Sequence, residues 1–380
     1  MARLSRLVVL SALVAACSES TMSPTISAPG AASRDARGGG NAGAVFTATN
    51  SAAENQVIAY RRSADGSLSS PAYFATGGTG SGAGLGSQGS VTLSEDGNWL
   101  LVVNAGSNEV SSFEVGDDGA LTLRGKASSG GTMPISVAIH GDLVYALNAG
   151  GSGNISALRL NGNGTLSPIA GSTRGLSSSA AGPAEVSFDP SGAWLVVTEK
   201  NTNKIDTWRV GSDGLASGRV VNASAGITPF GFTFTSKGVL TVTEAFGGAV
   251  DGSAVSSYTV NGDGTLTTIT ASAPTTETAA CWIVATNNSK FVYATNASSA
   301  SVSGYSVQKG ALDLLTPGGK TGNTGAGATD VAITENSQFL YSLNGGAHTI
   351  TGFGVSQSNG SLDANGAVSV PTGAVGLAAK

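Results

Sequence analysis

The sequence predicts an all-β chain folded as a seven-bladed β-propeller of four-stranded blades, its ring closed by a C-terminal strand. Three observations predict it. Glycine makes up 56 of 380 residues and charged residues only 11 %, against 40 % hydrophobic, a turn-rich β composition. One short unit recurs seven times. The first copy lacks a segment that the last residues of the chain supply.

The unit is clearest from Ser187 to Gly214, SFDPSGAWLVVTEKNTNKIDTWRVGSDG. A strand over Val186 to Phe188 meets a Pro-Ser-Gly turn, an apolar β-branched strand runs from Trp194 to Thr198, and a polar loop from Lys200 to Asn203 leads into a third strand, Lys204 to Val210. Each segment is too short and too rich in Val and Thr for a helix, and its apolar residues alternate or form brief runs. Only an outer strand is missing to complete a propeller blade.

The copies align without gaps in their logic. Second strands end at Asn50, Asn104, Asn148, Glu199, Glu244, Asn296 and Asn344. Third strands carry a large residue at one place, Tyr60, Phe113, Leu158, Trp208, Tyr258, Tyr305 and Phe353, which suits packing between neighbouring sheets. A glycine turn closes each copy, at Gly66, Gly119, Gly164, Gly214, Gly264, Gly310 and Gly360, and predicts a hairpin into the outer strand. The period of about 45 to 54 residues is that of four-stranded blades. The first copy starts at its second strand, Ala44 to Thr49, while Ala374 to Ala379 resembles the other inner strands, so this C-terminal segment is expected to complete blade one and remove the open edge.

Before the repeats, Arg3 and Arg6 precede an apolar run, Leu7 to Ala16, and then Cys17: an export signal over residues 1–16, too short to span a membrane. Val14-Ala15-Ala16-Cys17 resembles the bacterial lipobox, which implies a lipid on Cys17. Residues 17–42, rich in Ser, Thr, Pro, Ala and Gly, read as the lipidated cysteine and a flexible tether, leaving 43–380 for the propeller. Attachment to a membrane of the cell envelope follows, in the periplasm or at the outer membrane if the cell is Gram-negative, as a monomer. Cys281 is the other cysteine, and is expected to be a buried, unpaired core residue. A net charge of −5 offers no basic footprint for nucleic acid.

The strand-end residues and the loops after them share one face of the ring. Glu199 and Glu244 replace Asn in adjacent blades, and two neighbouring carboxylates would push one pKa upward, as a general base requires. With Lys200 they form the candidate catalytic set; Asn148, Asn296 and Asn344, with Phe230, Cys281 and Trp282 at inner-strand openings, are candidate substrate contacts. His140 and His348 are placed apart from that set. No zinc spacing is present; calcium held by Glu199, Glu244 and asparagine carbonyl groups is a minor reading, and no other cofactor is expected.

The repeats, the Gly-Leu turns and FVYATNASSASVSGYSV resemble the seven-bladed lactonase family that includes 6-phosphogluconolactonase and the fungal 3-carboxymuconate cyclase, across nearly all of residues 43–380. The resemblance implies opening or closing of a lactone ring, with Glu244 matching the family's acid at that strand end and Glu199 falling where an Asp usually stands. Pro183-Ala184 and Pro229-Phe230-Gly231 depart from the family's Pro-His and Pro-Arg-His, so its basic groups are missing here. The competing reading is a non-catalytic propeller that binds a glycan, peptide or protein partner.

Overall fold

The computed structural model describes residues 41–380; the signal segment, Cys17 and the tether to residue 40 lie outside them. Seven antiparallel sheets follow one another along the chain. Blade four is the plain case: Pro183–Phe188, Trp194–Glu199, Lys204–Val210 and Ala216–Ala223 pair in that order from the axis outward. In blades three and six the outer strand is broken into two short pieces, Leu166–Pro168 with Arg174–Gly175 and Ala311–Leu314 with Gly322–Asn323. Pro168, and Pro317 with the two glycines after it, interrupt the ladder there because proline has no amide to donate.

Blade one closes as its missing inner strand requires. Val375–Ala379 pairs antiparallel with Asn41–Ala48, matching Val45 to Ala379 and Phe46 to Ala378. Arg62 fastens the end of the chain by donating from Nε and Nη2 to the Lys380 carbonyl at 3.1 and 3.0 Å. The second strand of blade one begins at Asn41, slightly before the expected start.

The seven large third-strand residues, Tyr60 to Phe353, are all at most 1 % exposed, so each is packed between sheets. The turn glycines are the complementary half of the junction. All seven have φ between 76° and 91°, which glycine alone adopts without strain. Each also presses on the preceding blade: a Cβ on Gly164 would lie 2.3 Å from the Trp99 ring, and one on Gly360 2.7 Å from Phe291. At six of the seven junctions the glycine carbonyl accepts a hydroxyl from that blade, as from Tyr145 to Gly214 at 2.8 Å and Thr207 to Gly264 at 2.6 Å. At the remaining one, Gly119 sits on Ala44 and the neighbouring Asp118 pairs with Arg61 at 3.2 Å.

Removing residues 371–380 takes away the closing strand and uncovers the faces of blades one and seven. The truncated protein is expected to aggregate or to lose cooperative unfolding in a calorimetric scan. A soluble truncation with the full-length melting curve would refute this role.

Candidate functional site

The residues at the ends of the second strands are internal clamps. Apart from Asn50 at 2 %, all seven are fully buried. Asn296 shows the pattern: its Nδ2 donates to Ser301 and Ser303 on the third strand of its own blade, at 3.0 and 2.9 Å. Asn344 does the same to Thr349 and Thr351, and Asn148 donates to Asn154 and the Ser129 carbonyl. These three side chains therefore hold loops in place and do not line a free surface.

The two glutamates serve the same geometry with acceptors in place of donors. Glu244 accepts the Gly226 amide at 2.7 Å and the hydroxyls of Ser256 and Ser272 at 2.6 Å. Glu199 accepts the Ser177 amide at 2.8 Å, the Ser177 hydroxyl, and the Thr202 hydroxyl at 2.5 Å. A carboxylate needs such donors when it leaves water, since an unpaired buried charge is costly. Each acid is turned into its own blade, and among the described residues no contact joins them. The pairing expected from the sequence is replaced by two separate clamps, so neither the shared general base nor the calcium reading through both acids has its geometry.

The axis is built by the inner strands. Six of the seven carry an irregularity in their pairing with the second strand, as between Pro183 and Glu185, Pro229 and Phe232, and Ala328 and Asp330. Such bulges re-aim side chains. They place Glu185 and Asp330 at equivalent positions of blades four and seven, both buried. Glu185 accepts the Phe232 amide at 2.6 Å, and burial, with repulsion from Asp330 added, holds its carboxyl well above the usual range. Asp330 accepts the amides of Val331 and Leu377 at 2.7 and 3.1 Å, and burial pushes it up to about 8. Gln88 of blade two ties the opposite side: its Nε2 donates to the Ile283 carbonyl at 2.9 Å, and its Oε1 accepts the Ile283 amide at 3.1 Å.

Lys200, Phe230 and Trp282 do come together. The Lys200 Nζ reaches from the loop of blade four to the Gly86 carbonyl at the entry to blade two, 2.6 Å away, and stands 4.5 Å from the centre of the Phe230 ring. Phe230 meets Trp282 edge to face at 4.8 Å, and the indole donates to the Ala328 carbonyl at 2.9 Å. Lys200 is only 8 % exposed, and removal from water brings its amine down to about 7. An amine so placed exchanges protons near neutrality. Cys281, fully buried beside Trp282, is disulfide-bonded, which corrects the expectation of an unpaired thiol and leaves no nucleophile there. The sequence's other cysteine, Cys17, lies outside the described residues. His140 sits 3.0 Å from Glu95 and His348 is exposed; neither joins Lys200.

Gln88, Glu185 and Asp330 were not selected from the sequence. Superposing the openings PAEV and ATDV would have found the two acids at one position, but only the pairing registers show that a bulge turns them.

These features define a lactonase-like seven-bladed β-propeller with an axial group of polar residues. The family model described as "Lactonase, 7-bladed beta-propeller" matches residues 28–178. Among solved structures, a putative 6-phosphogluconolactonase of Bacteroides uniformis is similar at 20 % identity, with a TM-score of 0.69 over 89 % of this chain and 99 % of that one. The periplasmic gluconolactonase of Pseudomonas aeruginosa is similar at 16 % identity and a TM-score of 0.71, over 89 % and 98 %. A comparison with curated proteins gives no match.

The Asp330 shift fixes a pH dependence. From about pH 4, where the unfolded carboxyl ionises, to about pH 8, the folded state keeps a proton that the unfolded state has lost, so this group's contribution to stability falls as pH rises. Asp330→Asn removes the titration. Its melting temperature relative to wild type is expected to climb between pH 5 and pH 8; a constant difference would contradict the assignment.

Proposed function

We propose that this protein is an exported enzyme acting on a lactone ring beside Lys200. The observation that carries the reading is the buried Lys200 amine, brought down to about 7 and held over Phe230, in a fold shared with proteins described as gluconolactonases. In hydrolysis the neutral amine takes a proton from water as its oxygen adds to the ring carbonyl. The acyl C–O bond then breaks, and the departing alkoxide takes the proton back from the ammonium. Asp330, pushed up to about 8, keeps its proton near neutrality, and burial moves the Glu185 carboxyl in the same direction, which lowers the charge at the axis. That suits a neutral ring ester better than a phosphorylated one.

A panel of neutral and phosphorylated lactones tests this. Turnover of a neutral lactone is expected to rise with pH through about 7 as Lys200 loses its proton, and Lys200→Met is expected to lower kcat by about 10²–10⁴-fold. Glu244→Gln is expected to lower the melting temperature with turnover per folded molecule retained, because Glu244 holds a loop. Full activity in Lys200→Met would end the assignment.

The second reading is a non-catalytic propeller that binds a glycan, peptide or protein partner of the cell envelope. It is favoured by the sealing of Glu199 and Glu244 and by the missing Pro-His and Pro-Arg-His groups. Absence of turnover across the panel would place it ahead.

Export and attachment through Cys17 belong to the same proposal. Lipid on the Cys17 sulfur forms a thioether, so the anchor and a disulfide between Cys17 and Cys281 are alternatives, and the proposal takes the lipid form as the one made in the cell. Wild-type protein in cells fed a labelled fatty acid is expected to carry label, and Cys17→Ala to carry none. An unlabelled wild type whose Cys17 peptide is disulfide-linked to Cys281 would overturn the anchor.

A further inference from the structure

One buried acid has no part in the axial site. Asp206 lies on the third strand of blade four, where the other blades from two to seven place a hydroxyl: Ser111, Ser156, Ser256, Ser303 and Thr351. In four of those five, the hydroxyl partners the second-strand residue of its own blade, as Ser256 donates to Glu244 and Ser111 accepts from Asn104. Blade four instead sets one carboxyl against another, Asp206 against Glu199. Asp206 is fully buried, and as a carboxylate neither of its oxygens has a hydrogen-bond partner among the described residues. Arg219 Nε stands 3.9 Å from Oδ2, while its Nη1 is committed to the carbonyls of Gly175 and Leu176.

We propose that a proton on Asp206 bonds it to Glu199 and forms a pH-sensitive latch on the loop that presents Lys200, which regulates the site of the proposed function and rests on that reading. One proton on Asp206 supplies to Glu199 what the Ser256 hydroxyl supplies to Glu244 in blade five, a donor. With it, Glu199 keeps Ser177 and Thr202, and the segments around them pair through Lys200 N to Gly182 O at 3.0 Å and Asn201 N to Ala181 O at 3.0 Å. Without it, two carboxylates face each other out of water with one distant guanidinium, and the arrangement that relieves them is the one in which the loop lets go. The groups acting on Asp206 are Glu199, Arg219 and the Ser177 amide; burial and Glu199 outweigh the other two and push its carboxyl up to about 7. An opened loop returns Asp206 toward the ordinary carboxylate range, so opening is promoted as pH rises from about 4 to about 7 and levels off above.

The test uses the full-length protein without any lactone, so that its outcome is separate from whether turnover exists. Amide hydrogen exchange over 177–182 and 200–204, corrected for intrinsic rates, is expected to lose about tenfold or more in protection between pH 5 and pH 7.5 in wild type. Asp206→Ser, which installs the hydroxyl of the other blades, and Asp206→Asn, which keeps a donor of the same shape, are expected to hold protection constant over that range. The same pH dependence in both variants as in wild type, or a flat wild type, would overturn the latch. Protection that calcium chloride restores at pH 7.5 in wild type alone would also overturn it, by showing that the pair holds a cation.

Discussion

A ring of seven sheets depends on closure, because no blade buries both of its faces alone. Each sheet is covered only when its neighbours stand in place, and the first blade is complete beside the last only when the five residues Val375–Ala379 pair with Asn41–Ala48. The junctions are built to one specification. A glycine turn is pressed against the second strand of the preceding blade, and the carbonyl this contact would strand without water is given a hydroxyl at six of the seven interfaces. Each such bond is worth only about 1 kcal/mol net, yet leaving the carbonyl unmet would cost more. The hydroxyl comes from Ser or Thr at some junctions and from Tyr at others. What is held fixed is the acceptor.

The same economy governs the strand ends. Asn and Glu meet one requirement, a polar side chain that ties the end of strand two to strand three, but with opposite polarity: Asn296 donates to Ser301 and Ser303, and Glu244 accepts from Ser256 on strand three and Ser272 on the outer strand. Exchanging one for the other needs no movement of backbone when the partners are hydroxyls, which donate or accept by rotating. Blade four breaks the scheme because Asp206 has no such freedom. A carboxyl can donate only by keeping its proton.

Much of this was legible in the chain. The blade count, the aromatic positions and the closing strand follow from self-similarity, since repeated units must repeat their contacts. The candidate site was less legible, for a definite reason. Glu199 and Glu244 stand out as exceptions in the repeat and so point to a carboxylate pair, but the fold buries each of them in its own blade as deeply as the asparagines they replace. Glu185 and Asp330 were hidden by the opposite effect. Their places depend on bulges that shift the register of the inner strand after Pro183 and Ala328, and an alternating pattern gives no sign of a bulge. Phe230 and Trp282 are legible as aromatic residues near the start of their inner strands, although Trp282 itself stands just past the slip after Ala280, and Lys200 is legible from its place beside Glu199.

The axial groups also explain how this chain can keep a lactonase-like fold while departing from the Pro-His and Pro-Arg-His openings. The bulged positions point inward whatever residue occupies them, so the architecture tolerates a change of charge at the axis. Here Phe230 and Ala184 occupy the openings, and burial pushes both acids beside them, Glu185 and Asp330, toward the protonated form. Lys200 crosses toward Gly86 as the one buried cation beside Phe230, and it survives there by giving up its own charge easily. A fixed Arg or His⁺ polarises an anionic substrate; a lysine balanced near neutrality can instead carry a proton both ways. The fold supplies the same place, and the residues at that place decide which of these two chemistries it can perform.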